Sequence, residues 1–291
     1  MENGGKKQNN LLIAQNGGML YSLMVVCVFF TSVIYSAVCA LTGSSNVLVS
    51  YLLGPVSILV AVILLGLKVK NNPISPLLPL KLKLYPTLGT LLVFIGLTFG
   101  LSGLNEYFAL WLKSLGVTVS PPSIPELSPL NLALTIIFVC LLPAFFEELA
   151  FRGIMQNYLK QSGTWFSILI SGLLFSLFHM SPTQTLYQFA CGVVYALIIV
   201  CGGNFLNTFI IHFLNNLFVI LNYYYFGLET TLVSTVIGLA FLVAGIILLI
   251  KTRQKTEIDT RLIKYERTGF ILNALVGVGV ALTFWLQGLF L

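Results

Sequence analysis

Three apolar segments of this 291-residue chain carry side chains that could catalyse hydrolysis. The first contains the adjacent carboxylates Glu147 and Glu148, with Arg152 close behind, and the chain's two histidines, His179 and His212, lie in two others. A carboxylate in a poorly solvated pocket can act as a general base on water. Histidine and amide side chains can stabilise the oxyanion that forms during hydrolysis. These residue types therefore predict a hydrolytic site.

Helical geometry separates the two carboxylates. Neighbouring residues on a helix point about 100° apart, so Glu147 and Glu148 cannot share one role. Glu148 and Arg152 are four residues apart and share a face, where an ion pair would satisfy both. Glu147 has no partner in its own segment and is the candidate base. The alternative is a structural charge cluster at the end of the helix, with Arg152 extending to the membrane interface.

Each histidine shares a helix face with a second side chain of possible function, an amide for His212 and an aromatic ring for His179. His212 and Asn216 are four residues apart on one face of an apolar segment, where such groups need polar company. Asn215 is the alternative amide, but it points about 100° away from Asn216. His179 ends an apolar helix, with Phe175 one turn earlier on the same face. The carboxylates, imidazoles, amide and guanidinium together form a usable set for hydrolysis.

The same groups could hold a divalent metal instead, because neutral histidine and carboxylate suit Zn²⁺. The sequence contains no His-Glu-x-x-His motif, so a zincin-type site is not indicated. The identity of any cofactor therefore stays open at this point.

Composition shows which kind of protein must position these residues. Hydrophobic residues make up 57% of the chain, charged residues only 8%, and the mean hydropathy is +0.97. An ordinary soluble domain is about 25% charged. Apolar runs long enough to cross a bilayer recur throughout, which predicts an all-α, polytopic bundle of transmembrane helices. The five cysteines show no Cys-x-x-Cys pair and are interpreted as small buried hydrophobic residues.

We predict eight or nine spans. They lie near residues 19–42, 47–67, 86–109, 130–159, 164–180, 184–201, 203–226, 231–250 and 269–289. The first apolar stretch is longer than the core of a secretory signal, which runs to about 15 residues, so it is predicted to be a transmembrane helix.

The positive charges predict an orientation. The net charge of +6 comes from Lys and Arg that concentrate in short loops, so it gives no reason to expect nucleic-acid binding. With nine spans and a cytoplasmic N-terminus, the basic loops 68–85 and 251–268 both lie inside, and loop 110–129 lies outside. In this arrangement Glu147 falls toward the cytoplasmic half of its span and His179 near the outer end of the next. The two can meet only if the helices are staggered or broken.

The three motifs resemble those of the CPBP family of intramembrane proteases, also called the Abi or type II CAAX prenyl endopeptidase family. EELAFR (147–152) fits Glu-Glu-x-x-x-Arg, FSLFH (175–179) fits Phe-x-x-x-His, and HFLNN (212–216) fits His-x-x-x-Asn. The resemblance covers roughly residues 128–225 and depends on the order of the motifs as well as on each motif.

The resemblance implies a role for each residue. Glu147 would be the catalytic base, with His179 helping to polarise the attacking water, while His212 and Asn216 would stabilise the tetrahedral intermediate. The supporting residues would be Glu148, Arg152 and Phe175. Members of the family have been described both as metalloproteases and as metal-independent glutamate proteases. If a metal is bound, Glu147, His179 and His212 would hold it.

The chain divides accordingly. We predict a polar N-terminal tail (1–18), N-terminal transmembrane helices with interfacial loops (19–127), a catalytic helical core (128–225) and C-terminal transmembrane helices (226–291). The GxxxG pair Gly96 and Gly100 predicts a close helix contact.

The leading hypothesis is an endopeptidase embedded in a bacterial cell membrane. Its partners would be the lipid bilayer and a membrane-associated protein or peptide. That substrate could be a prenylated CAAX-like protein or a small precursor such as a bacteriocin or signalling peptide. The alternatives are a non-catalytic immunity or scaffolding protein of the same fold and an ion- or proton-coupled transporter. The transporter hypothesis is weakened because the sequence shows no internal repeat.

Overall fold

The computed structural model describes residues 13–69, 81–118, 123–253 and 261–290, and regular structure within these ranges is entirely helical. The nine helices in the described ranges are α1 (Ile13–Thr42), α2 (Val47–Val69), α3 (Leu84–Ser114), α4 (Pro129–Ser162), α5 (Thr164–Phe178), α6 (Thr185–Val200), α7 (Phe205–Phe226), α8 (Leu232–Lys251) and α9 (Ile263–Gln287). All except α5 are long and apolar enough to cross a membrane, α6 together with the short turn Pro182–Gln184 before it. The predicted helical bundle with eight or nine spans is confirmed.

Large apolar side chains cover the outside of the bundle. Ile34 on α1, Leu67 on α2 and Val233 on α8 are each more than half exposed, as are many similar residues on the other helices. In water so large an apolar surface would drive association, whereas the hydrocarbon of a bilayer solvates it. The chain is a multi-pass membrane protein.

The first and last helices pack side by side and run parallel. The Ser22 hydroxyl donates to the Asn273 carbonyl (2.6 Å) and accepts from the Gly277 amide (3.0 Å). Near the start of both helices, the Ala14 amide donates to a Glu266 carboxylate oxygen (2.8 Å). The paired residues are separated by a nearly constant 251 to 255 positions, as parallel helices require. The start of α1 and the end of α9 therefore lie on opposite sides of the bundle, in agreement with an odd number of spans.

The chain is already helical at Ile13, the first described residue, six residues before the predicted span and inside the segment predicted to be a polar tail. A residue far away in the sequence supports this part of the helix. An amide in the first turn of a helix has no partner within the helix, and Glu266 supplies an acceptor to that of Ala14. Residues 1–12 of the predicted tail lie outside the described residues, as do most of the loop between α2 and α3 (70–80) and part of the loop before α4 (119–122).

Glycines allow α3 and α8 to touch at their backbones. A Cβ added to Gly96 would lie 2.5 Å from the backbone of Leu242, and one added to Gly238 would lie 2.2 Å from the Gly100 nitrogen. Only a residue without a side chain permits this approach. The close contact predicted for Gly96 and Gly100 is confirmed, with α8 as the partner helix.

Helix α4 is irregular where it carries the candidate site. It contains π-helical turns at Ile136–Leu141 and Leu149–Met155, and it closes in a 3-10 turn at Leu159–Ser162. Such wide turns are frequent at functional sites because they change which face a side chain occupies. The chain then reverses at Gly163, whose φ of +93° lies in the region that glycine favours, and enters α5.

Candidate active site

Two of the predicted site residues lie at the same level because α4 and α5 form a hairpin. Glu147 precedes Gly163 by sixteen residues and His179 follows it by sixteen, which corresponds to about 24 Å along each helix. The predicted placement of these two residues at different depths was wrong, because it treated α4 as a single ordinary span. Helix α4 has 34 residues, more than a crossing needs, so Glu147 lies as far from the turn as His179 does.

The Glu147 carboxylate faces both histidines. Its Oε2 atom lies 3.8 Å from Nε2 of His179 and 3.9 Å from Nε2 of His212. That oxygen is buried and has no hydrogen-bond partner among the described residues. A gap of this length between polar atoms is one that a water molecule can bridge. The structure thus brings Glu147, His179 and His212 from three helices to one point.

Hydrogen bonds on the far side of each ring determine which nitrogen carries the proton. Nδ1 of His179 lies 2.8 Å from the Phe175 carbonyl, which can only accept, so Nδ1 must donate. Nδ1 of His212 lies 3.0 Å from a Glu148 carboxylate oxygen and donates in the same way. In each neutral ring Nε2 is therefore an acceptor. Three acceptors, Nε2 of both rings and Oε2 of Glu147, converge where a proton donor or a cation would be stabilised.

Glu148 and Arg152 form the predicted ion pair. Nη1 of Arg152 lies 3.2 Å from Oε1 of Glu148, and neither side chain is exposed. Nη2 of Arg152 donates to the Gly192 carbonyl of α6 (3.1 Å). Arg152 is therefore held inside the protein and does not extend to an interface. Because Glu148 also accepts from His212, this pair fixes the orientation of that ring.

Phe175 packs in the centre of the cluster. Its ring centroid lies 4.9 Å from that of His179 and 5.8 Å from that of His212, in edge contacts. The guanidinium carbon of Arg152 lies 4.3 Å from the Phe175 centroid, within cation–π range. One aromatic ring thus contacts both histidine rings and the guanidinium of the ion pair.

Asn216 is the one predicted residue that the structure leaves apart. It lies one turn beyond His212 on α7 and is half-buried, and its amide makes no hydrogen bond with the described residues. The neighbouring Asn215 is engaged instead, because its Oδ1 accepts from the Tyr187 hydroxyl at 2.6 Å. The Asn216 amide is therefore the one that is free to bind another group.

Helix α6 contributes residues that the sequence-based prediction missed. Tyr195 packs on His212 with ring centroids 5.6 Å apart, and Gln156 of α4 donates to the Ala196 carbonyl (2.9 Å). The sequence pattern that could have indicated the inward face of α6 is the four-residue spacing of Tyr187, Cys191 and Tyr195. Without a charged residue among them, that spacing is equally typical of ordinary packing.

The charges of the cluster do not balance when both histidines are neutral. Glu147 and Glu148 carry two negative charges, and Arg152 carries one positive charge. A net charge in a buried site is unfavourable, so one more proton or a bound cation would be stabilised here. The described residues include no group of three or more His, Cys, Asp or Glu side chains arranged to hold a metal.

Comparison with known proteins identifies the region that contains this site. Residues 129–218 match the family model described as type II CAAX prenyl endopeptidase Rce1-like. The match begins with the first residue of α4, ends within α7 and contains all seven predicted site residues. Neither the curated proteins nor the solved structures that were searched include a match. The similarity of residues 129–218 to this family model is consistent with the resemblance to the CPBP family.

Proposed function

We propose that the chain is an intramembrane endopeptidase that hydrolyses a peptide bond in a membrane-associated protein or peptide. One observation carries the proposal. Oε2 of Glu147 is buried without a hydrogen-bond partner among the described residues and lies within 4 Å of Nε2 of both His179 and His212. An acceptor held in this way, beside two further acceptors, is suited to bind and deprotonate a water molecule.

In the proposed reaction, Glu147 accepts one proton of the water and His179 Nε2 accepts a hydrogen bond from the other. The water oxygen attacks the carbonyl carbon of the substrate, and the carbonyl oxygen becomes an oxyanion. The Asn216 amide and a protonated Nε2 of His212 donate to that oxyanion. Glu147 then returns the proton to the leaving nitrogen as the carbon–nitrogen bond breaks, which leaves an acid and an amine.

The supporting residues keep His212 ready for this role. To donate from Nε2, His212 must carry protons on both nitrogens, and Glu148 stabilises that cation through the 3.0 Å contact with Nδ1. Arg152 holds Glu148 in place by the ion pair at 3.2 Å. The second carboxylate thus has an electrostatic role that is distinct from that of Glu147.

For the substrate we propose either a prenylated CAAX-like protein, the class named in the matched family description, or a small peptide precursor. We propose a bacterial cell membrane as its location. The metal-binding set predicted from the sequence, Glu147, His179 and His212, is not among the described residues' groups that could hold a metal ion, so no step of the proposed reaction is assigned to a metal. The non-catalytic alternative differs in a measurable way, because it assigns no chemical role to Glu147.

The proposal is tested with purified protein in liposomes and a fluorogenic prenylated CAAX-type peptide. In parallel, membrane and secreted peptides are compared between cells carrying the wild type and cells carrying Glu147→Gln. We expect Glu147→Gln to lower cleavage by about 10²–10⁴-fold, the contribution typical of a general base, and to leave membrane insertion unchanged. Chelator sensitivity of the wild-type cleavage then tests metal dependence.

Glu106→Gln is the matched control, because Glu106 is an exposed glutamate on α3, and it should cleave like the wild type. Full activity of Glu147→Gln would rule out the proposed mechanism. Phenotypic rescue by Glu147→Gln in cells, without any precursor accumulating, would favour the non-catalytic alternative.

A further inference from the structure

The connection between α5 and α6, residues 179–184, begins with His179, and Thr185 forms a hydrogen bond on each side of that histidine. The Ser176 hydroxyl donates to the Thr185 carbonyl (2.9 Å), and the Thr185 hydroxyl donates to the Ser181 carbonyl (3.0 Å). Ser176 comes three residues before His179 and Ser181 two residues after it. Thr185 therefore fixes the backbone on both sides of His179.

This connection has an unusual backbone conformation. Met180, directly after His179, has a φ of 50° and is the one non-glycine residue with a positive φ in the described part of the chain. Residues with a side chain are strained in this region, and they persist there only where the surrounding contacts hold them. The contacts that hold the connection should therefore influence where the His179 ring lies.

The end of α9 supplies such a contact. The indole Nε1 of Trp285 donates to the Thr185 hydroxyl oxygen at 2.7 Å. Because an indole N–H can only donate, the Thr185 hydroxyl must accept from it and pass its own hydrogen on to the Ser181 carbonyl. Three residues later, Gly288, which directly follows α9, also lies against the connection, because a Cβ added to it would lie 2.8 Å from Pro182.

We propose that Trp285 is a positioning residue for His179 and acts through Thr185. Its effect on cleavage rests on the proposed function, whereas its effect on the His179 ring does not. We call the hydrogen-bonded series Trp285–Thr185–Ser181 the brace. Helix α9 lies outside the matched residues 129–218, so the brace depends on the flanking part of the chain. Its chemistry is that of two hydrogen bonds in series, from the indole through one hydroxyl to a backbone carbonyl.

The kinetic test uses three matched substitutions, because the chain has three tryptophans. Trp285→Phe keeps the apolar ring and removes the N–H, and we expect kcat to fall about tenfold with KM changed by less than about twofold, since a small misplacement of a catalytic group slows the chemical step. Trp111→Phe and Trp165→Phe are the controls. Both residues are more than half exposed, and we expect wild-type kinetics from each.

Substitution of Thr185 tests whether Trp285 acts on His179 through the Thr185 hydroxyl. Thr185→Val should lower kcat as Trp285→Phe does, the double variant should lose no more than either single variant, and Thr185→Ser should retain most of the activity. Independent, additive losses would show that Trp285 does not act through Thr185. If Trp285→Phe fails to fold, Thr185→Val alone carries the test.

A spectroscopic arm separates this proposal from the proposed function. The chain has two histidines, so ¹⁵N-histidine NMR gives two sets of imidazole signals, each from Nδ1 and Nε2 of one ring, and His212→Gln assigns them. We expect Trp285→Phe and Thr185→Val to shift the His179 signal and leave the His212 signal in place. An unmoved His179 signal together with wild-type kinetics would overturn the brace. A shifted signal in a protein that cleaves no peptide would support the brace and count against the proposed function.

Discussion

The contact between α3 and α8 and the candidate site, where side chains of α4, α5 and α7 meet, are stabilised by opposite kinds of packing. Between α3 and α8 the helices meet where side chains are absent, and a Cβ on Gly238 would come within 2.2 Å of the Gly100 backbone. In the cluster, helices are joined through polar side chains, such as the 3.0 Å hydrogen bond between His212 and Glu148. Both contacts lie in the apolar part of the molecule, but only one of them contains groups able to react.

The comparison shows what each way of packing can do. Backbone contact through glycines gains dispersion energy without burying any polar group, so it stabilises the fold and offers no chemistry. Polar side chains cost desolvation energy, which contacts such as the ion pair between Glu148 and Arg152 offset, while Oε2 of Glu147 is left without a hydrogen-bond partner among the described residues. Substitutions in the two regions should therefore separate stability from activity.

The largest expected effect is that of Arg152→Met. It leaves the unexposed Glu148 carboxylate without its cation, which should lower the free energy of unfolding by about 3–5 kcal/mol and abolish cleavage. Thermal unfolding in detergent and peptide cleavage measure the two effects. Adding Glu148→Gln removes the unpaired charge and should restore most of the stability but not the activity. A double variant no more stable than Arg152→Met would contradict the ion-pair explanation.

The next effect is that of Gly238→Ala. The added methyl group forces α3 and α8 apart, which should lower the free energy of unfolding by about 1–3 kcal/mol. Gly279→Ala on α9 is the control, because a Cβ there meets nothing within 4 Å. The folded fraction of Gly238→Ala should keep its kcat. A kcat that falls to the level of Arg152→Met would mean that the two regions are not separable.

The smallest effect should be that of Tyr187→Phe. It removes one hydroxyl, which donates to Asn215 at 2.6 Å, and should lower the free energy of unfolding by about 1 kcal/mol. Because Asn215 is next to Asn216, KM and kcat are measured together with the unfolding midpoint. Loss of cleavage as complete as that of Glu147→Gln would transfer the proposed amide role from Asn216 to Asn215.

The helices could be predicted well because each span is a long apolar run, and the bilayer sets its length. Glu147, Glu148 and Arg152 could be assigned to faces because four-residue spacing on a helix is a local property. Their relation to His179 could not, since the level at which two helices meet depends on where the chain turns. The sequence does not show how far the 34-residue helix α4 extends beyond the bilayer.

The remaining misses depend on partners far away in the sequence. The Ala14 amide, near the first described residue of α1, donates to Glu266, which comes 252 residues later. Trp285 reaches Thr185 across 100 residues, and neither residue is part of a motif. A single sequence indicates which residues need partners, but tertiary packing decides which partners they find.

The parallel packing of α1 and α9 has a consequence for biosynthesis. A chain enters the membrane from its N-terminus onward, so α1 is inserted long before α9 is made. Until then, Ser22 lacks the Asn273 carbonyl and the Ala14 amide lacks Glu266. A nascent chain released before α9 can therefore place all of α4–α7 in the membrane and still leave these two polar groups of its first helix without their partners on α9.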